Sequence, residues 1–324
     1  MKKPINQVKV QGRVYDHSLV VKTVQNKESA NYGKNFISGT LDVATDDDCL
    51  NIVTVHYTFV APTYPAKNGK PERPNDSYTA LKKIIDSGKT ILTDGKENAT
   101  IVDLDPSIAL NDFYTNRNGS EELVSAKRPE GGFVNILNSM KLEEKDRSTF
   151  KADILINGTT MVEADEEKGI KEHLVVKGAI FDFRKAILPL DFKVYNPDGI
   201  NYFENLDAST SNMTFTKVWG QIKSQNIVTE KTEESAFGGP AVTQYTRTVR
   251  EWIIEGTSNP DAVYEIGDVE NGITLEEVKA ALDQRNLDLA DKKKRSDDWK
   301  ASQAAAAPAT SQAGVSAAAG GFNF

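Results

Sequence analysis

Cysteine is almost missing from this chain: among 324 residues only Cys49 is one. That excludes an intramolecular disulfide and fits a reducing, cytoplasmic setting. No stretch approaches the roughly 18 apolar residues of a membrane-crossing helix. Met1-Lys2-Lys3-Pro4 has no apolar run behind it, so it does not read as a secretory signal. The histidines are His17, His56 and His173, none at the paired spacing of a zinc site. Asp46-Asp47-Asp48 and Asp103-x-Asp105 lack the spacing of a calcium loop and read as solvated turns. No phosphate-cradling glycine loop, dinucleotide fingerprint or nucleophile elbow occurs, so the chain is expected to be no enzyme and to need no cofactor or metal. A basic excess is lacking too. The formal net charge is -8, which counts against indiscriminate binding of duplex DNA.

What is present is one order of elements, twice. Gln7 to Val14 alternates apolar and polar residues, the mark of a half-buried strand, and Gly12 within it predicts a bend. Phe36 to Ala44 and Asn51 to Val60 are the next strands, with Val53, Val55, Tyr57 and Phe59 on one face. A long Pro- and Gly-rich loop leads to a short helix, Ser77 to Asp86, capped by Ser77 and Gly88. Strands from Ala99 to Tyr114, interrupted at Pro106, and from Glu122 to Leu137 complete the first pass. The second runs Phe150 to Gly158, His173 to Phe183, Ala186 to Tyr195, a helix at Asp198 to Leu206, Met213 to Lys223 and Thr243 to Ile254. Strand, strand, strand, helix, strand, strand is the order of a five-stranded Greek-key barrel, the OB-fold. The fold class expected is therefore mainly β: two tandem OB-like barrels plus a C-terminal helix and a disordered tail. The divisions are 1–140, 150–258, a helix at 273–301 capped by Thr274, and an Ala-rich tail at 302–324 whose composition cannot bury a core.

The Val8-to-Val14 opening, Gly39 in the second strand, Lys82 and Lys83 in the helix after the third strand, and the hairpin before Leu137 resemble the single-stranded DNA-binding proteins of bacteria and their phages. The resemblance covers roughly residues 5 to 137. Phe324 matches the terminal aromatic of that family's tail, although the acidic residues before it are absent and the net charge from Ile273 onward is zero. The resemblance implies a coat for transient single strands during phage-type replication or recombination. Phe322 and Phe324 would then recruit replication or recombination proteins.

Such binding needs aromatic faces for base stacking beside Lys or Arg for phosphates. In the first half these are Lys34, Phe36, Tyr57, Tyr64, Tyr114, Arg117, Lys127 and Arg128. In the second they are Phe181, Phe183, Arg184, Lys193, Tyr195, Lys217, Trp219, Arg247 and Trp252. Phe59 and Phe192 continue apolar faces and are expected in the core, and the Lys292–Arg295 run reads as a solvated helix end. Net acidity keeps a rival open: a structural or assembly protein of a virion, built from β-barrels. The partner expected of the leading reading is single-stranded DNA, with no membrane.

Overall fold

The computed structural model describes residues 3–66, 69, 71–117, 120–165, 169–233, 237, 239, 241–259, 263–264 and 272–306, without the side chains of 117, 225–233, 241–247, 263–264 and 303–306. In the first half β1 (Asn6–His17), β2 (Val20–Thr23), β3 (Asn35–Ala44) and β4 (Ile52–Val60) are followed by two short pieces, β5 (Thr63–Tyr64) and β6 (Arg73–Pro74). Then come α1 (Asp76–Ser87), α2 (Ile91–Asp94) and a long hairpin of β7 (Ile101–Arg117) and β8 (Ser120–Leu137). The second half holds β9 (Ser148–Val162), β10 (His173–Phe181), β11 (Ile187–Val194), α3 (Pro197–Asn205) and a second long hairpin, β12 (Thr214–Glu233) and β13 (Ala241–Thr257). β14 (Val263–Tyr264) pairs in parallel with β15 (Ile273–Thr274), and α4 (Leu275–Ala306) follows.

The pairings close two rings. β1 pairs with β3, β3 with β4, β4 with β8, β8 with β7, and β7 returns to β1. Every pair is antiparallel except β4–β8. The second ring repeats this as β9, β10, β11, β13, β12 and back to β9, with β11–β13 the parallel pair. A helix crosses between third and fourth strands in each, so both rings have the five-stranded Greek-key topology of the OB-fold. The alternation in β1 is what fills the interior: Val8, Val10 and Val14 are buried, as are Val53 and Val55 of β4 and Leu81 and Ile84, one helical turn apart on α1. Closure depends on close approach. A Cβ on Gly12 would stand 2.1 Å from the Ala44 carbonyl oxygen. Gly39 sits at φ +135°, where a Cβ would meet the Ser18 carbonyl oxygen at 2.4 Å.

Element ends moved slightly from expectation. Asn75, not Ser77, caps α1, its side chain accepting from the Ser77 N–H, while Gly88 closes the helix by donating to Ile84. Asn196 caps α3 in the same way. Thr274 does cap α4, and it does so reciprocally: its hydroxyl accepts from the Glu277 N–H and the Glu277 carboxylate accepts from its own N–H. The fourth strand runs through Pro106, which falls at a register shift between Asp105 and Ser107, a place where a residue without an N–H is tolerated.

The rings are joined. β1 pairs antiparallel with β9, from Asn6 opposite Ala152 to Val10 opposite Ser148, so one sheet runs through both. Each barrel also reaches onto the other. The parallel registers set His56 against Glu130 and Lys193 against Ile253. Three residues before Glu130 lies Lys127, whose ammonium donates to the carbonyl oxygen of Asp191 in the second barrel. Three before Ile253 lies Arg250, which donates to Thr54 of the first at 3.3 Å. Asp191 and Thr54 both stand two residues before the third-strand member of the parallel pair. Equivalent positions thus meet twice, in opposite directions, the acceptor being a backbone carbonyl in one contact and a hydroxyl in the other.

Candidate nucleic-acid interface

The outer face of β3 and β4, with the turn before β3 and the loop after β4, gathers several aromatics of the first barrel; Phe113 of β7 and Phe133 of β8 are exposed elsewhere on it. Phe36 stacks on Phe59 with ring centroids 4.7 Å apart. Next to them a groove of about 720 Å³ is lined by Lys34, Phe59, Tyr64 and Tyr78 among others. The guanidinium of Arg73 lies 4.7 Å from the centre of the Tyr64 ring, because β5 and β6 pair and set Tyr64 opposite Arg73. Lys22 stands opposite Phe36 across the β2–β3 ladder. Tyr32, half exposed, is in the turn before β3. With Tyr78 packed against the core, this stretch offers four aromatic rings, those of Tyr32, Phe36, Phe59 and Tyr64, with Lys22, Lys34 and Arg73 near them.

Of the residues expected at a site, Lys34, Phe36 and Tyr64 converge here. Sequence reasoning missed Phe59, which was expected in the core and is 46% exposed. The cause is a bulge: Ile37 faces Val60 but Gly39 faces Tyr57, so β4 spends two residues against one and Phe59 turns outward. Arg73, Lys22 and Tyr32 were also missed. Each lies in a turn or short piece with no periodicity to mark it.

Other expectations are corrected by burial. Tyr57 is 2% exposed and points into the first barrel. Its hydroxyl has no hydrogen-bond partner among the described residues, and burial pushes its pKa up. Trp252 packs in the second core, 5.5 Å from Phe150, which stacks on Phe192 at 4.9 Å. Phe192 is thus core as expected. Phe181 is sealed in a second cluster with Phe215, Ile273 and Val278, where the first turn of α4 closes the barrel end. Lys127 is held between the barrels, its ammonium 4.8 Å from the Phe192 ring centre and 5.7 Å from that of Trp252. Burial pushes its pKa down to about 8, against the pull of Asp191. None of these four can stack on or contact a ligand at the surface.

The remaining residues are scattered. Arg128 is paired with Glu130 at 2.6 Å beside His56, whose pKa is lowered by burial and by Arg128. Lys193 and the Tyr195 hydroxyl both donate to Glu251, at 2.7 and 2.9 Å. Arg184 lies over the exposed Phe183 ring at 5.0 Å, in the turn between β10 and β11. Lys217 and Trp219 point out of β12 on either side of the buried Val218. Trp219 is 41% exposed on a different face, opposite Lys151 of β9. Tyr114 lies on the β7–β8 hairpin beneath α4, Lys293 being 5.1 Å from its ring centre. The side chains of Arg117 and Arg247, and all of Phe322 and Phe324, lie outside the described residues.

A sequence model of the YorF family matches residues 4–295. The chain belongs to the YorF family. No curated protein sequence matches it. Solved structures similar to this YorF chain include the wild-type single-stranded DNA binding protein from Thermus aquaticus, at 9% identity and a TM-score of 0.44, over 83% of this chain and 98% of that one. A deletion variant of the same Thermus protein gives 10% identity and a TM-score of 0.42, over 84% of this chain and all of the other. Among the described residues no helix is long and apolar enough to cross a membrane.

Tyr57 supplies a direct check on the corrected site. A buried hydroxyl without a partner costs free energy that a hydrogen atom would not. Tyr57→Phe is expected to raise unfolding stability by about 1 kcal/mol, measured by urea denaturation. A loss of stability would mean the hydroxyl has a partner after all.

Proposed function

We propose that this protein binds single-stranded DNA without base specificity and does no chemistry, and that it covers transient single strands during phage-type replication or recombination. The observation that carries the reading is the Phe36–Phe59 stack, Phe59 exposed and Phe36 half-buried, with Tyr64 and Arg73 beside it on the outer face of a five-stranded barrel. Exposed aromatic pairs are unfavourable in water unless something covers them, and flat bases do so whatever their identity. Lys22, Lys34 and Arg73 lie where phosphates of a stacked strand would run. The acidic body, net -8, suits this choice: it repels duplex backbones while a local cationic strip retains a flexible strand.

The test is fluorescence anisotropy of a labelled oligo-dT strand at two salt concentrations, with a duplex of equal length as control. Saturable binding of the single strand alone, weakened by salt as counterions are released, supports the reading. Absence of binding at low salt overturns it and leaves a structural or assembly role for the barrels, which the net negative charge would suit.

A further inference from the structure

We propose that the far half of α4 is a separate contact for the same single strand, with Trp299 stacking on a base and Lys292 and Arg295 taking phosphates; this rests on the single-strand reading above. Three cations seat the helix on the first barrel's β7–β8 hairpin. Arg285 grips Asp112 through both terminal nitrogens, at 3.2 and 2.9 Å. Lys293 and Lys300 both bind Glu121, Lys300 at 2.8 Å, and together hold that carboxyl down at about 2. Spacings of eight and seven residues put Arg285, Lys293 and Lys300 on one stripe of a 3.6-residue helix. The same seat covers Tyr114, whose hydroxyl also donates to the Leu289 carbonyl at 3.5 Å.

Lys292, Arg295 and Trp299 follow one another at three and four residues, so they share a stripe that borders the seat, Lys292 lying seven residues after Arg285. Trp299 is 64% exposed there, a large apolar ring left mostly in water. Among the described residues neither Lys292 nor Arg295 makes an ion pair, whereas Lys293 and Lys300 do; Arg295 donates to the Asp291 carbonyl within its own helix at 3.3 Å. By the same count Asp297 falls on the other side of the helix, where it faces Lys293 at 3.4 Å, while Asp291 and Asp298 border the stripe within four residues of Arg295. An exposed indole flanked by two cations that make no close ion pair, although Lys292 also acts on Asp112, has the chemistry of a base-and-phosphate contact. The helix covers Tyr114 of the hairpin and presents Trp299, while Phe113 and Phe133 of the same hairpin stay exposed.

Trp299→Ala and the double variant K292A/R295A test this in the full chain, beside F36A/F59A. Helix content by circular dichroism shows whether α4 stays formed, since none of the three residues makes a hydrogen bond or ion pair to the hairpin, although the charge of Lys292 also acts on Asp112. Trp299→Ala is expected to weaken oligo-dT binding about tenfold with its salt slope unchanged. K292A/R295A is expected to weaken it and to flatten the plot of log affinity against log salt by about 1.4, or 0.7 per phosphate on a single strand. If both variants bind like the wild type while F36A/F59A loses affinity, the helix takes no part and the barrel reading stands. That result would point to an acidic protein surface as the helix's partner. If the wild type itself binds no oligonucleotide, both proposals fall together.

Discussion

Replacing Phe36 and Phe59 together by alanine is expected to weaken oligo-dT binding about a hundredfold while the barrel stays folded, because two stacking platforms are removed at about 1–3 kcal/mol each. Phe59 faces water and Phe36 is half-buried, so the fold loses the pair itself, about 0.5–1.5 kcal/mol, plus the buried part of the Phe36 ring. Thermal melting separates the two effects. Phe36→Ala alone leaves Phe59 without its neighbour at 4.7 Å and is expected to lose most of the affinity. Tyr57→Phe, two residues before Phe59 but inside the barrel, is expected to bind like the wild type. An unchanged affinity in F36A/F59A would remove the central support for a stacking site on β3 and β4. It would move attention to Trp219 or to the Phe183–Arg184 turn.

Tyr57 and Phe59 also show where sequence reading succeeds and where it stops. Period-two alternation told correctly that β4 has a buried face, and Val53, Val55 and Tyr57 lie on it. It could not tell that the partner strand skips a residue at Ser38, because a bulge is a property of the pair and not of either strand. One residue of slip moves every later side chain to the opposite face, and Phe59 is the side chain it moved. The double ring itself was legible, since alternation and its interruptions set the element order, and five strands with one crossing helix have few ways to close. Phe181 and Trp252 were misjudged for a related reason. Alternation says that a side chain leaves the strand on a given side, but not whether α4 or the partner barrel covers that side. The seating of α4 depends on Asp112 and Glu121, more than 150 residues before the cations they hold, and nothing local in the sequence announces such a pairing. Arg73 beside Tyr64 lay in a loop read only as long and polar.

The reciprocal contacts of Lys127 and Arg250 carry the last expectation. Lys127 puts a charge where little water reaches: its side chain is 16% exposed, between Asp191 and the rings of Phe192 and Trp252. Burial lowers its pKa from the ordinary 10.5 to about 8. The unfolded chain therefore holds a proton that the folded chain has released between about pH 8 and pH 10.5, so this residue makes the fold more stable as pH rises through that window. Below pH 8 both states are charged and the full penalty remains. At about 1.4 kcal/mol per pKa unit it amounts to roughly 3 kcal/mol. The two ring faces return part of this, about 0.5–2 kcal/mol, through attraction to the cation. Lys127→Met keeps the apolar stem and removes the charge, leaving Asp191 solvated. The variant is expected to be more stable than the wild type by about 1–2 kcal/mol at pH 7, as replacements of buried ionic groups by apolar ones often are. That advantage should shrink steadily between pH 8 and pH 10.5. Paired urea denaturation of the two proteins across that range measures it directly, since every other titrating group is common to both. A difference that does not change with pH would mean that the ammonium is hydrated in place and that the barrels do not close around it. A variant less stable at pH 7 would mean that the Lys127 contacts to Asp191 and the two rings outweigh the cost of its burial, making it a net fastener of one barrel to the other.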